Sequence, residues 1–483
     1  MRTLVDHRLG LAGLVLVAFA ALYGLAYVTR PVHSPIKVAA PVEVPVESVT
    51  TVCPDQAHSR LSALTPTPSK GAADGTGSIT ISKLAAAGTR DPRSISLRRA
   101  DVLWQAGAKG ARGPVTVSGT GAMAAGLEAA QTSRTLEGMN RGLAGVRCVQ
   151  PGASAWFAGP GPAAADITLY LANADRAAAS VGITVYSGEG PVVGGPGGGL
   201  VLKPGEQRAI ALRELAPSPL VMAVHIETDS GRVAVAAKAV LQGGRGIDWL
   251  PIAAEPATRV VVPGIPGGGG LRTLYVATPG ETDTIVQVKA VTSEGAFAMK
   301  GRESLEVAPG SVASMDVTTG IGGQPAALVL TSATPIVAGM MINGTGSKQD
   351  VAFTAGAAPI DNGSIVADNR SGEGVTSRLV LSAPGAAAKV RVRMIPRKGT
   401  APRPVEVTIK AARSKEVKLH ALRGGDSYGV VVLPVGGSGP VYGGRILDER
   451  TGDGLLLTSQ PLAPARTEVT VPVTADTEAA ILP

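Results

Sequence analysis

The chain has few of the residues that carry most enzyme and nucleic-acid chemistry. Of its 483 residues, 3% are aromatic, five are histidine and two are cysteine. Neither an H-E-x-x-H sequence nor the paired Cys/His spacing of a zinc site occurs in it. Basic residues are not interleaved with aromatic ones, which leaves nucleic-acid binding without support. We therefore expect a protein with no cofactor, no metal, no nucleic-acid partner and no enzymatic activity.

Glycine and proline are abundant instead, with 63 and 36 residues. Such a composition, with much valine and alanine, is typical of short strands joined by many turns, so we expect a mainly β fold. The length indicates three or four domains of about 100–150 residues each. The net charge of +8 comes from scattered basic residues. It indicates a solvated surface, with weak attraction to envelope polyanions or lipid headgroups as the alternative.

A long apolar segment lies near the N-terminus. Leu9–Thr29 contains no charged residue, and about 20 apolar residues in a helix span a ~30 Å hydrocarbon layer. Arg2 and Arg8 precede it, which places the rest of the chain outside the cytoplasm. The length favours an uncleaved signal-anchor at residues 1–30, and so a single-pass protein of the cell membrane with an extracytoplasmic C-terminal part. Gly24–Ala26 resembles a cleavage site, so a secreted form stays open.

A stalk and an N-terminal domain follow the apolar segment. Residues 31–45 contain four prolines and predict an extended, Pro-rich stalk. The strand pattern of residues 46–153 is irregular and assigns no fold, and Gly121–Arg141 has mixed helical character. Cys53 and Cys148 lie in this domain. In an oxidising compartment we expect them to form a disulfide.

A recurrence of 105 residues organises the second part of the chain. Similar β-rich sequences begin near Thr168, Thr273 and Arg378. Their alternation of apolar and polar residues, with about seven strands per copy, predicts Ig-like antiparallel β-sandwiches. A β-propeller with two blades per copy is the alternative. The predicted repeats are residues 154–258, 259–363 and 364–483, the last with a terminal strand.

Five short sequences occur in the order of a known family. They are Cys53-Pro54, Cys148, Trp156-Phe157, Asp248–Pro251 and Val261–Pro266. With the N-terminal membrane segment, this order resembles an uncharacterised, domain-of-unknown-function family of secreted or membrane-anchored actinobacterial proteins with tandem β-sandwich repeats. The chain departs from the usual repeat at Ala172–Ala174, where proline after asparagine is expected. The resemblance implies a location and a fold but no activity.

Three tryptophans and one serine are the remaining candidate site residues. Trp104, Trp156 and Trp249 would form a ligand platform if exposed rings stacked on sugars. Trp156 and Trp249 flank the ends of the first repeat, however, so packing in a core or between domains is the stronger expectation. Ser427 lies in a Gly-x-Ser-x-Gly sequence. A strand follows it where a nucleophile elbow needs a helix, so we expect a loop between strands.

These observations favour a non-enzymatic envelope protein, with its membrane contact through the N-terminal helix. A scaffold that binds an envelope protein partner is the main hypothesis. A glycan-binding or cell-wall-binding accessory module for cell-wall assembly is the alternative. A catalyst whose site lies between domains is the third hypothesis. Sandwich loops carry many unrelated functions, so the sequence does not choose among partners.

Overall fold

The computed structural model describes residues 2–29, 41–54, 58–67, 76–86, 89, 91–107, 113–192, 199–423 and 425–471. These residues form one α-helix, three short 3-10 helices and 35 strands, so the predicted mainly β class is confirmed. The 3-10 helices are Gly121–Met123, Leu212–Glu214 and Gln242–Gly244. The chain divides into a large compact unit, Pro45–Val469, and a small one made of Met1–Val44 with Thr470–Pro483.

The α-helix belongs to the small unit. It is α1 (Arg2–Val28), and its exposed segment Gly10–Val28 has 19 residues with a mean hydropathy of 2.2. A helix of this length and composition can cross a membrane, so the predicted N-terminal apolar helix is confirmed. The first strand is β1 (Val42–Pro45). Residues 31–40 of the predicted stalk lie outside the described residues.

Eight strands form sheet pair 1. They are β2 (Ser48–Cys53), β3 (Ser59–Leu64), β4 (Ser78–Lys83), β5 (Ile95–Leu97), β6 (Trp104–Gly107), β7 (Val115–Thr120), β8 (Glu128–Thr135) and β9 (Gly142–Arg147). Their antiparallel orders are β2-β7-β4-β5 and β6-β3-β8-β9. Both sheets contribute to one buried apolar cluster. The helical character predicted for Gly121–Arg141 is wrong beyond Gly121–Met123, because Glu128–Thr135 forms strand β8, which buries half of its side chains in this sheet.

Sheet pair 2 contains nine strands. They are β10 (Ser154–Pro160), β11 (Ala165–Ala172), β12 (Ala179–Ser187), β13 (Gly190–Pro191), β14 (Leu200–Leu202), β15 (Gln207–Ala211), β16 (Val221–Ser230), β17 (Ala234–Leu241) and β18 (Ile247–Leu250). The orders are β10-β16-β12-β13, with β14 also on β12, and β15-β11-β17-β18. Inward side chains of both sheets fill one apolar core.

Sheet pair 3 is continuous through one long strand. Its members are β19 (Ala257–Ile265), β20 (Arg272–Ala277), β21 (Thr284–Val291), β22 (Ala296–Ala298), β23 (Ser304–Val307), β24 (Val312–Asp316), β25 (Ala326–Asn343) and β26 (Val351–Ala355). The first part of β25 pairs with β19 and β21, and its second part pairs with β20 and β26. The 18 residues of β25 therefore serve both sheets, which share one core.

Sheet pair 4 follows the same plan. Its strands are β27 (Ser364–Arg370), β28 (Val375–Ala383), β29 (Ala388–Pro396), β30 (Val405–Ile409), β31 (Arg413–Leu419), β32 (Ser427–Pro434), β33 (Tyr442–Thr451) and β34 (Gly454–Pro461). They form β27-β32-β29-β30 and β31-β28-β33-β34 over one core. The last strand, β35 (Glu468–Val471), pairs with β1.

One strand order is common to the four sheet pairs. In sheet pairs 1 and 4, the first, sixth, third and fourth strands in sequence order form one sheet, and the fifth, second, seventh and eighth form the other. Sheet pair 2 has this order when β13 and β14 are counted as one strand, and sheet pair 3 has it when β22 and β23 are counted as one strand and the two parts of β25 as two. Sheet pair 1 has this order too, although its sequence assigned no fold. The Ig-like class, the 105-residue repeats and the domain boundaries stay predictions, since Pro45–Val469 packs as one compact unit.

The eighth strands of the four sheet pairs meet one another. We call β9, β18, β26 and β34 the central strands. β9 contacts β18, β18 contacts β26, β26 contacts β34, and β34 contacts β9. Further strands join the same neighbours: β10 of pair 2 contacts β25 of pair 3, β19 of pair 3 contacts β33 of pair 4, and β27 of pair 4 contacts β8 of pair 1. Within the large unit the fourth sheet pair therefore packs back on the first, and the contacts form a closed ring.

Candidate functional site

One carboxylate connects all four central strands. Asp350 lies directly before β26 and is fully buried. Its Oδ2 accepts hydrogen bonds from the N–H groups of Leu143 in β9 (2.9 Å) and Leu457 in β34 (3.0 Å). Its Oδ1 accepts one from the N–H of Ile247 in β18 (3.3 Å). Burial raises the pKa of Asp350 to about 7, although these backbone donors lower it.

Two glycines permit this close approach. A Cβ on Gly142 would lie 2.5 Å from Oδ1 of Asp350, and one on Gly246 would lie 2.7 Å from it. Both have positive φ, 154° and 125°, where side chains are strained. The carboxylate therefore reaches the neighbouring strands only because no side chain stands at either position.

A second buried carboxylate lies beside the first. Asp248 in β18 accepts hydrogen bonds on Oδ1 from the N–H of Gly145 (2.9 Å) and the hydroxyl of Thr458 (3.0 Å). Its Oδ2 has no hydrogen-bond partner among the described residues. Burial, and to a smaller extent the charge of Asp350, raise the pKa of Asp248 well above its usual range. The side chain of Asp248 thus joins sheet pairs 1, 2 and 4, and its Oδ2 could still accept a hydrogen bond.

A fully buried arginine faces these acids from β33. Arg445 donates from Nη2 to Oε1 of Gln460 (3.1 Å). Its Nε and Nη1, with Nε2 of Gln460, have no partner in the described part of the chain. Burial lowers the pKa of Arg445, and the charges of Asp368 and Asp248 oppose this effect. We call Asp248, Asp368, Arg445 and Gln460 the central polar cluster.

A cavity of about 410 Å³ lies next to the central polar cluster. Sheet pairs 1, 2 and 4 form its walls, together with Ala463–Arg466. Gln460 belongs both to the central polar cluster and to the wall. The charged wall residues are Glu128, Arg147 and Arg466, and the remaining wall is largely apolar. This volume is within the range of small-molecule sites, which often lie between domains.

The charged wall residues carry an excess of positive charge. Arg147 donates from Nε to Glu128 (2.6 Å) and from Nη2 to the carbonyl of Ile365 (3.0 Å). Arg466 contacts the side-chain oxygen of Gln150 at the exposed rim. Burial raises the pKa of Glu128 to about 7 against the influence of both arginines. The cavity wall therefore contains one carboxyl group and two guanidinium groups.

The structure places the predicted tryptophans apart. Trp156 packs with Tyr275 and Val337 of sheet pair 3, and Trp249 packs with Val146 of sheet pair 1. Their exposures are only 4% and 3%, so both rings are buried in packing between sheet pairs. Exposed stacking on sugars is not supported for these two rings. Trp104 is half-buried against the core of sheet pair 1.

The predicted disulfide is confirmed. Cys53 in β2 is bonded to Cys148, which directly follows β9, across 95 residues of sequence. The bond joins the two sheets of pair 1, and Cys148 lines the cavity. It therefore fixes the wall from which Arg147 projects.

The serine of the Gly-x-Ser-x-Gly sequence does not form a nucleophile elbow. Ser427 is buried and begins strand β32. Its hydroxyl donates to the adjacent Asp426 (2.9 Å). An elbow requires a strand before the serine and a helix after it, and here a strand follows, as the sequence predicted. The expected loop at Ser427 itself is wrong, because β32 already begins at this residue.

The sequence did not indicate the buried charged residues. Asp248 occurs in one of the family-like short sequences, but nothing in that sequence shows burial against Gly145 and Thr458. Asp350 and Arg445 carry no motif. Glycines before an expected strand, such as Gly246, were the available signal of a close backbone approach.

A comparison with curated proteins finds no match for this chain. A family model matches residues 102–420, which is well over half of the chain. The matched region begins just before β6 and ends just after β31, and it contains sheet pairs 2 and 3 whole. It includes Asp248 and Asp350. The chain thus belongs to the family of unknown function DUF5719.

Proposed function

We propose that this protein is a membrane-anchored, non-enzymatic scaffold that binds an envelope protein outside the cytoplasm. The observation that carries the proposal is the closed ring of four sheet pairs around Asp350. Because a buried carboxylate bonded to three other strands resists hinge motion, the ring would hold its surface loops at fixed separations. A partner that contacts several sheet pairs would then bind a preformed surface.

Two features support the extracytoplasmic location. The bond between Cys53 and Cys148 is typical of proteins that fold in an oxidising compartment. The apolar part of α1 is long enough to anchor the chain. Arg2 and Arg8 before it favour an N-terminus in the cytoplasm. Protease added to intact spheroplasts should therefore degrade the folded part, and full protection would contradict this topology.

The binding role is tested by crosslinking in the source cell. A tagged full-length chain should capture one envelope protein reproducibly, and the two purified proteins should form a complex. A truncated chain that ends at Pro45 keeps the anchor without the ring and is the control. Capture by both chains would show that the ring is not the binding surface and would refute the proposal.

The glycan-binding alternative is tested with the same protein. Its sequence support came from exposed tryptophans, and Trp156 and Trp249 are buried. If the full chain is retained on peptidoglycan or wall polysaccharide, and no protein partner is recovered, the accessory-module function replaces the scaffold. If neither a wall fraction nor a protein partner binds, both proposals are wrong.

A further inference from the structure

The cavity between sheet pairs 1, 2 and 4 has the composition of a ligand site. Its wall is largely apolar, with Val149, Trp249 and Ile252 among its residues. A few polar side chains converge on it, and its volume of about 410 Å³ is in the small-molecule range. Nothing in the proposed scaffold function requires such a cavity.

The polar side chains of the wall favour an anion. Arg147 and Arg466 line the cavity with a single carboxyl group, Glu128, between them. Arg147 already bonds Glu128 and a backbone carbonyl, whereas Arg466 lies at the exposed rim beside Gln150. A guanidinium at the rim is well placed to receive a carboxylate through two parallel hydrogen bonds.

A buried side chain of the cavity wall offers an unused donor. Gln460 is 4% exposed, and its Nε2 has no partner among the described residues. Its Oε1 accepts from Arg445, which lies behind the wall. Because an unpaired buried donor is costly, an acceptor beside Gln460 would be favoured.

We propose that this cavity binds a small amphipathic carboxylate, whose head accepts hydrogen bonds from Arg466 and Gln460 and whose apolar body lies against Trp249. A single negative charge matches the wall, because Glu128 cancels one of the two arginines. A phosphate dianion would meet the repulsion of Glu128. A neutral apolar molecule would leave the donors of Gln460 and Arg466 unpaired.

The test uses octanoate as the probe, with octanol and octylamine as neutral and cationic matches. Binding to the full chain in nonionic detergent is measured by titration calorimetry, and the heat of detergent alone is subtracted. Because hydrogen bonds between charged groups are stronger than those of a neutral hydroxyl, octanoate should bind at least about tenfold more tightly than octanol. Octylamine should bind more weakly still. Equal binding of the three probes, or no binding of octanoate, would overturn the proposal.

Two variants locate the site. Arg466→Gln removes the rim charge and should weaken octanoate binding about tenfold while leaving octanol binding unchanged. Ile252→Trp fills the apolar wall and should weaken both probes. Arg302→Gln is the matched control, since Arg302 is an exposed arginine that bonds only backbone carbonyls of sheet pair 3.

The control separates a specific site from surface charge. If Arg302→Gln weakens octanoate binding as much as Arg466→Gln does, the affinity depends on the net charge of the protein and the proposed site is wrong. Unchanged octanoate binding in both Arg466→Gln and Ile252→Trp would also refute it. Failure of the envelope-partner experiments leaves this result unaffected, because no partner takes part in the titration.

Discussion

Replacement of Asp350 by alanine should weaken the whole ring of sheet pairs. The change removes the acceptor of three backbone N–H groups, those of Leu143, Ile247 and Leu457. Each buried donor without a partner costs about 1–3 kcal/mol, so the loss is about 3–9 kcal/mol. Release of a buried carboxyl group offsets part of this cost. We expect a net loss of at least about 3 kcal/mol, which is large against a typical stability of about 5–15 kcal/mol.

Urea denaturation of the full chain in nonionic detergent measures this loss. Trp156 and Trp249 report it, because both rings are buried between sheet pairs and their fluorescence changes when the pairs separate. Asp283→Ala is the matched control. Asp283 is exposed, so its replacement should change the free energy of unfolding by less than about 0.5 kcal/mol. An equal midpoint for the two variants would refute the reasoning about Asp350.

The same carboxyl group predicts a pH dependence. Its pKa is raised to about 7 in the folded chain, against about 3.9 when unfolded. Between these values the folded chain holds a proton that the unfolded chain has released. The free energy of unfolding should therefore fall as the pH rises from about 4 to 7. Asp350→Ala should reduce this slope, and Glu128 and Asp248, whose pKa values are also raised, should maintain the remainder. A slope unchanged by Asp350→Ala would contradict the assignment.

The remaining predictions concern the disulfide and one close contact. Reduction of Cys53–Cys148 should lower the free energy of unfolding by about 4 kcal/mol, from the loop it closes, and thiol labelling of the unreduced, unfolded chain should find no free cysteine. Gly444→Ala should cost about 1–3 kcal/mol in urea denaturation, because its Cβ would lie 2.5 Å from Cα of Gly264. Gly436→Ala meets nothing within 4 Å and should be neutral, and equal effects of the two glycine changes would contradict this packing.

Strands in the second part of the chain could be predicted where a sheet has one solvated face. β21 shows the reason, since Val286, Val288 and Ala290 are buried and the residues between them are exposed. That period-2 pattern is written in the sequence itself. Sheet pair 1 is less regular. β8 contains neither valine nor isoleucine, and its two alanines favour a helix over a strand, so the sequence predicts helical character in Gly121–Arg141 where the structure has a strand.

The site could not be predicted because it depends on packing between distant residues. Asp350 is 207 residues from Leu143 in sequence, and no local pattern encodes that contact. Arg445 lies in a stretch of β33 in which seven successive residues are buried. A strand that is covered on both faces loses its alternation of apolar and polar residues. In the sequence, the buried Arg445 therefore cannot be distinguished from an arginine on a solvated face. The pairing of Cys53 with Cys148 could be predicted because the sequence contains no other cysteine.

The ring closure also fixes how many sheet pairs the protein can have. Open arrays of stacked units gain or lose members freely, provided that their two end units are capped. Here each sheet pair has two neighbours, and no end unit exists to be capped. A carboxylate has about four lone-pair sites, and Asp350 directs its own to the strands that meet around it. Insertion or deletion of one sheet pair would break the circuit at this carboxylate.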